Sequence, residues 1–111
     1  AFTLIEIMVV VFVIAILLAI ALPNFTRARQ ASSARSCVKN LANIAVAKEQ
    51  YMMDNHLGAT ATPPDLSALC GPAAYIKKTP ECPSGGTYAV NAFSADPACS
   101  IGATQAPPHT L

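Results

Sequence analysis

Apolar and polar positions divide this chain sharply. Residues 2–22 read FTLIEIMVVVFVIAILLAIAL, apolar throughout except for Thr3 and one charge, Glu6. No Gly or Pro interrupts the run, and its length matches the roughly 20 residues that a helix needs to cross a bilayer. Inside a membrane such a run is helical, because every backbone polar group must be satisfied within the segment. A carboxylate in it costs about 2.5–3.5 kcal/mol near the helix centre, so Glu6 asks for a function.

After residue 22 the pattern changes. Pro23 removes a backbone donor and strains the turn before it, and Asn24 suits an N-cap. A kink or local melting is therefore expected over residues 19–24. From Phe25 to about His56 apolar residues recur at three- and four-residue steps: Ala34, Val38, Leu41, Ala45 and Met52, with Cys37, Ile44 and Tyr51 beside them. Arg35, Lys39, Asn43, Gln50 and Asp54 take the opposite face, as on a half-buried helix. Lys48 falls near the stripe, where its stem is expected to lie along apolar surface with the ammonium in water. Gly58 supplies a stop just after Leu57.

Residues 58–84 are punctuated by Pro63, Pro64, Gly71, Pro72, Pro80 and Pro83 and read as a loop. A short helix over residues 64–69 is expected within it, with Tyr75 and Ile76 covering the main helix. Residues 86–90 and 98–101 read as two short strands joined by a turn region over 91–97. The tail, residues 102–111, lacks periodicity and is expected to lie extended on the surface. The fold class that follows is α+β: a long N-terminal helix, a loop region, and a short antiparallel β-hairpin packed on the helix's C-terminal half. Residues 1–23 form the apolar anchor and 24–111 a small head, divided into helix 24–57, loop 58–84, and hairpin with tail 85–111.

A head this small usually needs staples. Cys37, Cys70, Cys82 and Cys99 all lie outside the apolar run, which suggests two disulfides in an oxidising compartment. Four cysteines allow three pairings. The expected pairs are Cys82–Cys99, closing the strand region, and Cys37–Cys70, tying loop to helix. Each would contribute roughly 3–4 kcal/mol.

Charge narrows the choice of partners. The net charge is +1, and no basic stripe with interleaved aromatics signals nucleic acid. Arg27, Arg29, Arg35 and Lys39 cluster after the apolar run, where they face lipid head groups. His56 and His109 stand without a Cys, Ser or second His at ligand or triad spacing, and both read as surface residues. Asp54, Asp65, Glu81 and Asp96 lack the alternation of a calcium loop. No catalytic residue, metal site or cofactor is indicated, and the chain is not expected to be an enzyme.

The start of the chain resembles the N-terminus of type IV pilins and of type II secretion pseudopilins. Phe2, Thr3, Leu4, Ile5 and Glu6 carry the likeness, with the apolar run and Pro23. Cys82-Pro83-Ser84-Gly85-Gly86-Thr87-Tyr88, followed by Pro97-Ala98-Cys99-Ser100, is similar to the C-terminal part of some short bacterial pilin-like proteins. The resemblance implies a precursor whose leader is removed by a membrane prepilin peptidase. That enzyme also methylates the new α-amino group, on Phe2 or, since Ala1 precedes it here, on Ala1.

It further implies a subunit held in the bacterial inner membrane with its head outside. An assembly machine driven by an ATPase then stacks subunits into a helical homopolymer with the N-terminal helices at its core. Ala1, Phe2, Thr3 and Glu6 would form the assembly end, with Glu6 meeting a neighbour's α-amino group. The helix would yield near Pro23, and Ala15 or its neighbour stands where many relatives carry a glycine. The function implied is a structural subunit of a type IV pilus-like filament, extracellular or spanning the periplasm. A pseudopilin or minor pilin of type II secretion or DNA uptake is one alternative. A non-polymerising, membrane-anchored periplasmic binding domain is the other.

Overall fold

The structure, a computed structural model, describes residues 1–105 and 107–111. The chain forms two units, Ala1–Ala31 and Ser32–Leu111. Its elements are α1 (Leu4–Asp54), α2 (Leu66–Leu69), β1 (Tyr88–Ala89) and β2 (Ala98–Cys99). The α+β architecture is as expected, with one long helix followed by an antiparallel two-stranded sheet.

In the first unit α1 differs from expectation at Pro23, which lies inside the helix. Residues 19–24 are helical throughout, without the expected melting, and Asn24 lies inside the helix and not at a cap. A proline removes one hydrogen bond, here the one to the Ala19 carbonyl, but the bonds on either side can continue. The Thr26 hydroxyl reinforces the turn after it by donating to the Leu22 carbonyl at 3.1 Å. Every side chain of residues 1–30 is exposed.

In the second unit α1 buries Ala34, Cys37, Leu41, Ile44, Ala47 and Lys48. The buried stripe is thus centred on Cys37 and Ile44, one residue round from the expected Val38 and Ala45, which are only half-buried. Two clusters rest on it. Cys37 and Leu41 meet Cys82 and Cys99, with Tyr88 and Ile101 packed alongside. Farther along, Ile44 and Ala47 meet Leu69 of α2 and Val90, with Ile76, Tyr51 and Leu66 at the margin.

Asp65 starts α2 as its N-cap, accepting from the Leu66 N–H at 2.9 Å. Cys70 and Ile76 then form a bridge, closed by the Gly71 N–H on the Ile76 carbonyl and the Ile76 N–H on the Leu69 carbonyl. Tyr75 also covers α1, as expected: its hydroxyl donates to Asp54 at 2.6 Å, and its ring meets Tyr51 edge-on.

The end of α1 is set by His56, not by Gly58. The His56 N–H donates to Met53 and the Leu57 N–H to Met52, the paired bonds of a Schellman ending. His56 takes the left-handed position with φ +53°, where a side chain is disfavoured. Its substitution His56→Gly should therefore stabilise the head by about 0.5–1 kcal/mol. Urea unfolding of the full chain in detergent micelles measures this as a raised midpoint at constant m-value.

The hairpin pairs Tyr88 with Cys99 and Ala89 with Ala98. It is extended by the Ser100 N–H donating to Thr87 at 2.8 Å. The turn between the strands is organised by Lys48, whose ammonium is not in water as expected. Lys48 is 3% exposed, and its Nζ donates to the carbonyls of Val90 (3.2 Å), Ala92 (2.9 Å) and Ala95. Burial lowers its pKa, opposed by the nearby charges of Asp96 and Glu49. A turn without a short ladder can hold this shape because one cation collects three carbonyls.

The tail also departs from expectation. Residue 106 lies outside the described residues, but on either side of it the chain turns back on β2. The Gly102 N–H donates to the Cys99 carbonyl and the His109 N–H to the Gly102 carbonyl. His109, expected at the surface, is 1% exposed.

Candidate functional site

Two groups of residues carry chemistry, one in each unit. At the N-terminus Thr3 and Glu6 hold each other: the Glu6 N–H donates to Thr3 Oγ1 at 3.3 Å, and the Thr3 N–H faces Glu6 Oε2 at 3.5 Å. This is a reciprocal capping box, the Ser/Thr-x-x-Glu device that satisfies two orphan donors at a helix start. The carboxylate also lies in the first turn, where the helix dipole favours negative charge. The spacing Thr3-x-x-Glu6 is a cap signal in the sequence, masked by the apolar run in which the acid stands.

Beyond the cap, Leu4, Ile7, Met8, Val11, Phe12 and Ala15 line one shallow apolar face of α1. Their steps of three, one, three, one and three are those of a helix-packing stripe. The apolar stretch of α1 is long and apolar enough to cross a membrane, and none of it is buried among the described residues. Ala1 and Phe2 precede the helix and are exposed.

In the head the structure gathers three of the four cysteines with a histidine. The sulfurs of Cys37, Cys82 and Cys99 and a ring nitrogen of His109 all lie within 4.8 Å of one another, and all four residues are buried. Cys82 Sγ and His109 Nδ1 are 3.6 Å apart. Each comes from a different part of the fold: α1, the loop before β1, β2 and the tail. All four cysteines of the chain are free thiols, so neither expected disulfide is present.

Cys37–Cys70 fails for a geometric reason. The loop carrying Cys70 is tied through Leu69 to Ile44 and Ala47, and Ile44 lies seven residues, about 10 Å along the axis, from Cys37. A disulfide bridges Cα atoms less than about 7 Å apart. Cys82 and Cys99 are brought together as expected, but with Cys37 and His109 beside them.

The surroundings of the cluster are polar on the side facing sulfur. Burial alone would raise the Cys82 thiol, yet its pKa falls to about 6. Against burial stand hydrogen-bonding influences that favour the thiolate, from the Ser84 and Gly86 backbone first and then from His109 and Cys37. Cys37 is pushed up to about 12, chiefly by burial, against a hydrogen bond from Tyr88. Tyr88 is raised as well, by burial first. Its hydroxyl accepts from Asn40 Nδ2 at 3.1 Å, and that amide also donates to the Glu81 carbonyl.

Two glycines make room for this packing. A Cβ on Gly86 would stand 2.5 Å from Cys99 Sγ and 2.8 Å from Ile101, and one on Gly102 would crowd the His109 carbonyl at 3.0 Å. Gly85, with φ +86°, turns the chain just before. Sequence reasoning missed His109 because ten residues separate it from Cys99 and 72 from Cys37. No short ligand spacing marks the set.

Comparison with known proteins gives a consistent result at the level of sequence. The chain is 36% identical over 84 residues to competence protein ComGC of Bacillus subtilis, covering 76% of this chain and 81% of that one. It is 41% identical over 85 residues to the ComG operon protein 3 homolog of Bacillus licheniformis, with the same coverage of 76% and 81%. It is 31% identical over 98 residues to the type II secretion system core protein G of Escherichia coli, covering 78% of this chain and 68% of that one. No protein-family model matches the chain, and no solved structure does. With its capped apolar N-terminal helix, its α+β head and these relatives, the chain belongs to the type IV pilin-like family, which includes the competence and type II secretion pseudopilins.

Proposed function

We propose that this protein is a structural, non-enzymatic subunit of a pilus-like filament, polymerised through the exposed apolar part of α1. The observation that carries this reading is the apolar stretch of α1 over residues 4–22, exposed among the described residues and bearing a single acid, Glu6. Leaving lipid for water would cost this helix on the order of 10 kcal/mol, at a few tenths of a kcal/mol per apolar residue. Leaving lipid for a bundle of like helices largely avoids that cost. The face from Leu4 to Ala15 offers such helices a packing stripe, with Ala15 allowing close approach.

Within the bundle, Glu6 pairs with the α-amino group of a neighbouring subunit, on Ala1 or Phe2 according to where the leader is cut. Each buried charge then offsets the other's desolvation. Pro23, which already leaves the Ala19 carbonyl without its helical donor, marks where the helix yields on packing. A prepilin peptidase and an ATP-driven machine of the inner membrane would process and assemble the subunit. The relatives named as competence and secretion proteins favour a pseudopilin of DNA uptake or protein export over an adhesive pilus.

Electron microscopy of material sheared from cells, with mass identification of the subunit, tests the proposal. Filaments containing this chain are expected. A chain found only in the membrane fraction, as monomers, would support a non-polymerising anchored domain.

A further inference from the structure

The buried group of three cysteines and a histidine has no part in assembly through α1, and its geometry points elsewhere. We propose that Cys37, Cys82, Cys99 and His109 bind one structural Zn2+ ion, which fastens α1, the loop before β1, β2 and the tail together. Four candidate donor atoms lie within 4.8 Å of one another. In a tetrahedral site with Zn–S about 2.3 Å and Zn–N about 2.0–2.1 Å, neighbouring donors stand about 3.6–3.8 Å apart. The separation of Cys82 Sγ from His109 Nδ1 is 3.6 Å. A set of three sulfurs and one imidazole, closed to solvent, is the donor set of structural zinc and leaves no open position for catalysis.

The second shell fits an anionic centre. Three thiolates on one divalent cation leave a net charge of −1, which needs donors around it. Cys82 opens the tight turn that Gly85 and Gly86 permit, closed by the Gly85 N–H on the Cys82 carbonyl at 3.0 Å. Tyr88 packs against the cluster that holds Cys37, and its hydroxyl is oriented by Asn40. Such outer contacts orient metal ligands. A disulfide accounts for the group less well, since any pair of the three sulfurs leaves a buried third thiol and a buried imidazole beside it. On binding, each thiol gives its proton to water as its Zn–S bond forms, and His109 ligates as the neutral ring. No redox step is involved.

The small head then gains a staple of another kind than two disulfides. It ties Cys37 of α1 to β2 and the tail, whereas Cys70 stays outside the site.

The test uses the full chain in detergent micelles, purified under reducing conditions. One zinc per chain is expected by elemental analysis. In that form only Cys70 should alkylate readily, and a chelator should open all four thiols. The metal-free chain titrated with Co2+ should develop the ligand-field and thiolate charge-transfer bands of a tetrahedral sulfur-rich site, which Zn2+ abolishes. His109→Ala should weaken binding by more than about 100-fold, beyond the loss typical of outer-shell changes. His109→Cys should keep binding and strengthen the charge-transfer band, a rescue that mere packing would not produce. Cys70→Ser should change nothing. A Cys82–Cys99 disulfide in the metal-free native chain, an octahedral cobalt spectrum, or wild-type affinity in His109→Ala would each overturn the proposal. The cobalt spectrum of the unaltered chain decides the matter even if a variant does not fold.

Discussion

Replacing Glu6 with glutamine should abolish filaments while leaving a folded, membrane-inserted subunit. Glutamine serves the capping box as glutamate does, because its carbonyl oxygen can accept from the Thr3 N–H. Helix content and insertion should therefore be unchanged. What is lost is the charge. In the proposed filament the neighbour's α-ammonium would then be buried without a counter-ion, and breaking one side of a buried pair costs about 3–5 kcal/mol. That is a factor of more than about 100 in each association step.

Filament yield, measured by shearing and immunoblotting, should fall below detection, with membrane-fraction protein at wild-type level. Thr3→Ala provides the converse. It removes the cap at a cost of about 0.5–2 kcal/mol but keeps the charge, so filaments should persist at reduced yield. Wild-type yield from Glu6→Gln would assign the carboxylate to helix capping alone.

This contrast shows how much of the site the sequence carried. Glu6 stands out in any reading, since an acid in an apolar run has to be explained, and the Phe-Thr-Leu-Ile-Glu string leads directly to the family. The three-four periodicity from Ala34 onward announced the second half of α1, and the turn-rich spacing announced the hairpin. The face of the helix was less legible. Val38 and Cys37, or Ala45 and Ile44, differ by one residue and about 100° of rotation, and all are apolar. Only the partners, Leu69, Val90 and the other cysteines, decide between them. Pro23 read as a place for a kink or local melting, yet one absent hydrogen bond leaves residues 19–24 helical because the neighbouring turns are intact. His109 was opaque for a different reason. It follows two prolines in a segment without period, and nothing local says that the chain turns back through Gly102 to bury it.

Lys48 is the clearest case of local reasoning overruled by tertiary structure, and its replacement should be the most damaging single change in the head. Snorkelling predicts a tolerant position; the structure shows a cation enclosed by carbonyls of Val90, Ala92 and Ala95. The turn between β1 and β2 has few other supports: the Ala95 N–H on Ala92, and Asn91 at φ +59° with its amide on the Asp96 carbonyl. Lys48→Met keeps the stem and removes the ammonium, leaving three carbonyls to find water or remain unpaired at about 1–3 kcal/mol each.

Some of that cost is recovered because the buried cation itself is disfavoured, as the lowered pKa of Lys48 indicates. A net loss of about 3 kcal/mol is expected, a large share of the stability of a domain this size. Urea unfolding in micelles should show the midpoint fall, and hydrogen exchange should show protection lost first over residues 90–96. Lys48→Arg should restore only part of the loss, because a planar guanidinium cannot direct its donors to three carbonyls as an ammonium does. A loss under about 0.5 kcal/mol in Lys48→Met, the range of an ordinary surface substitution, would mean that the hairpin holds its turn without the cation.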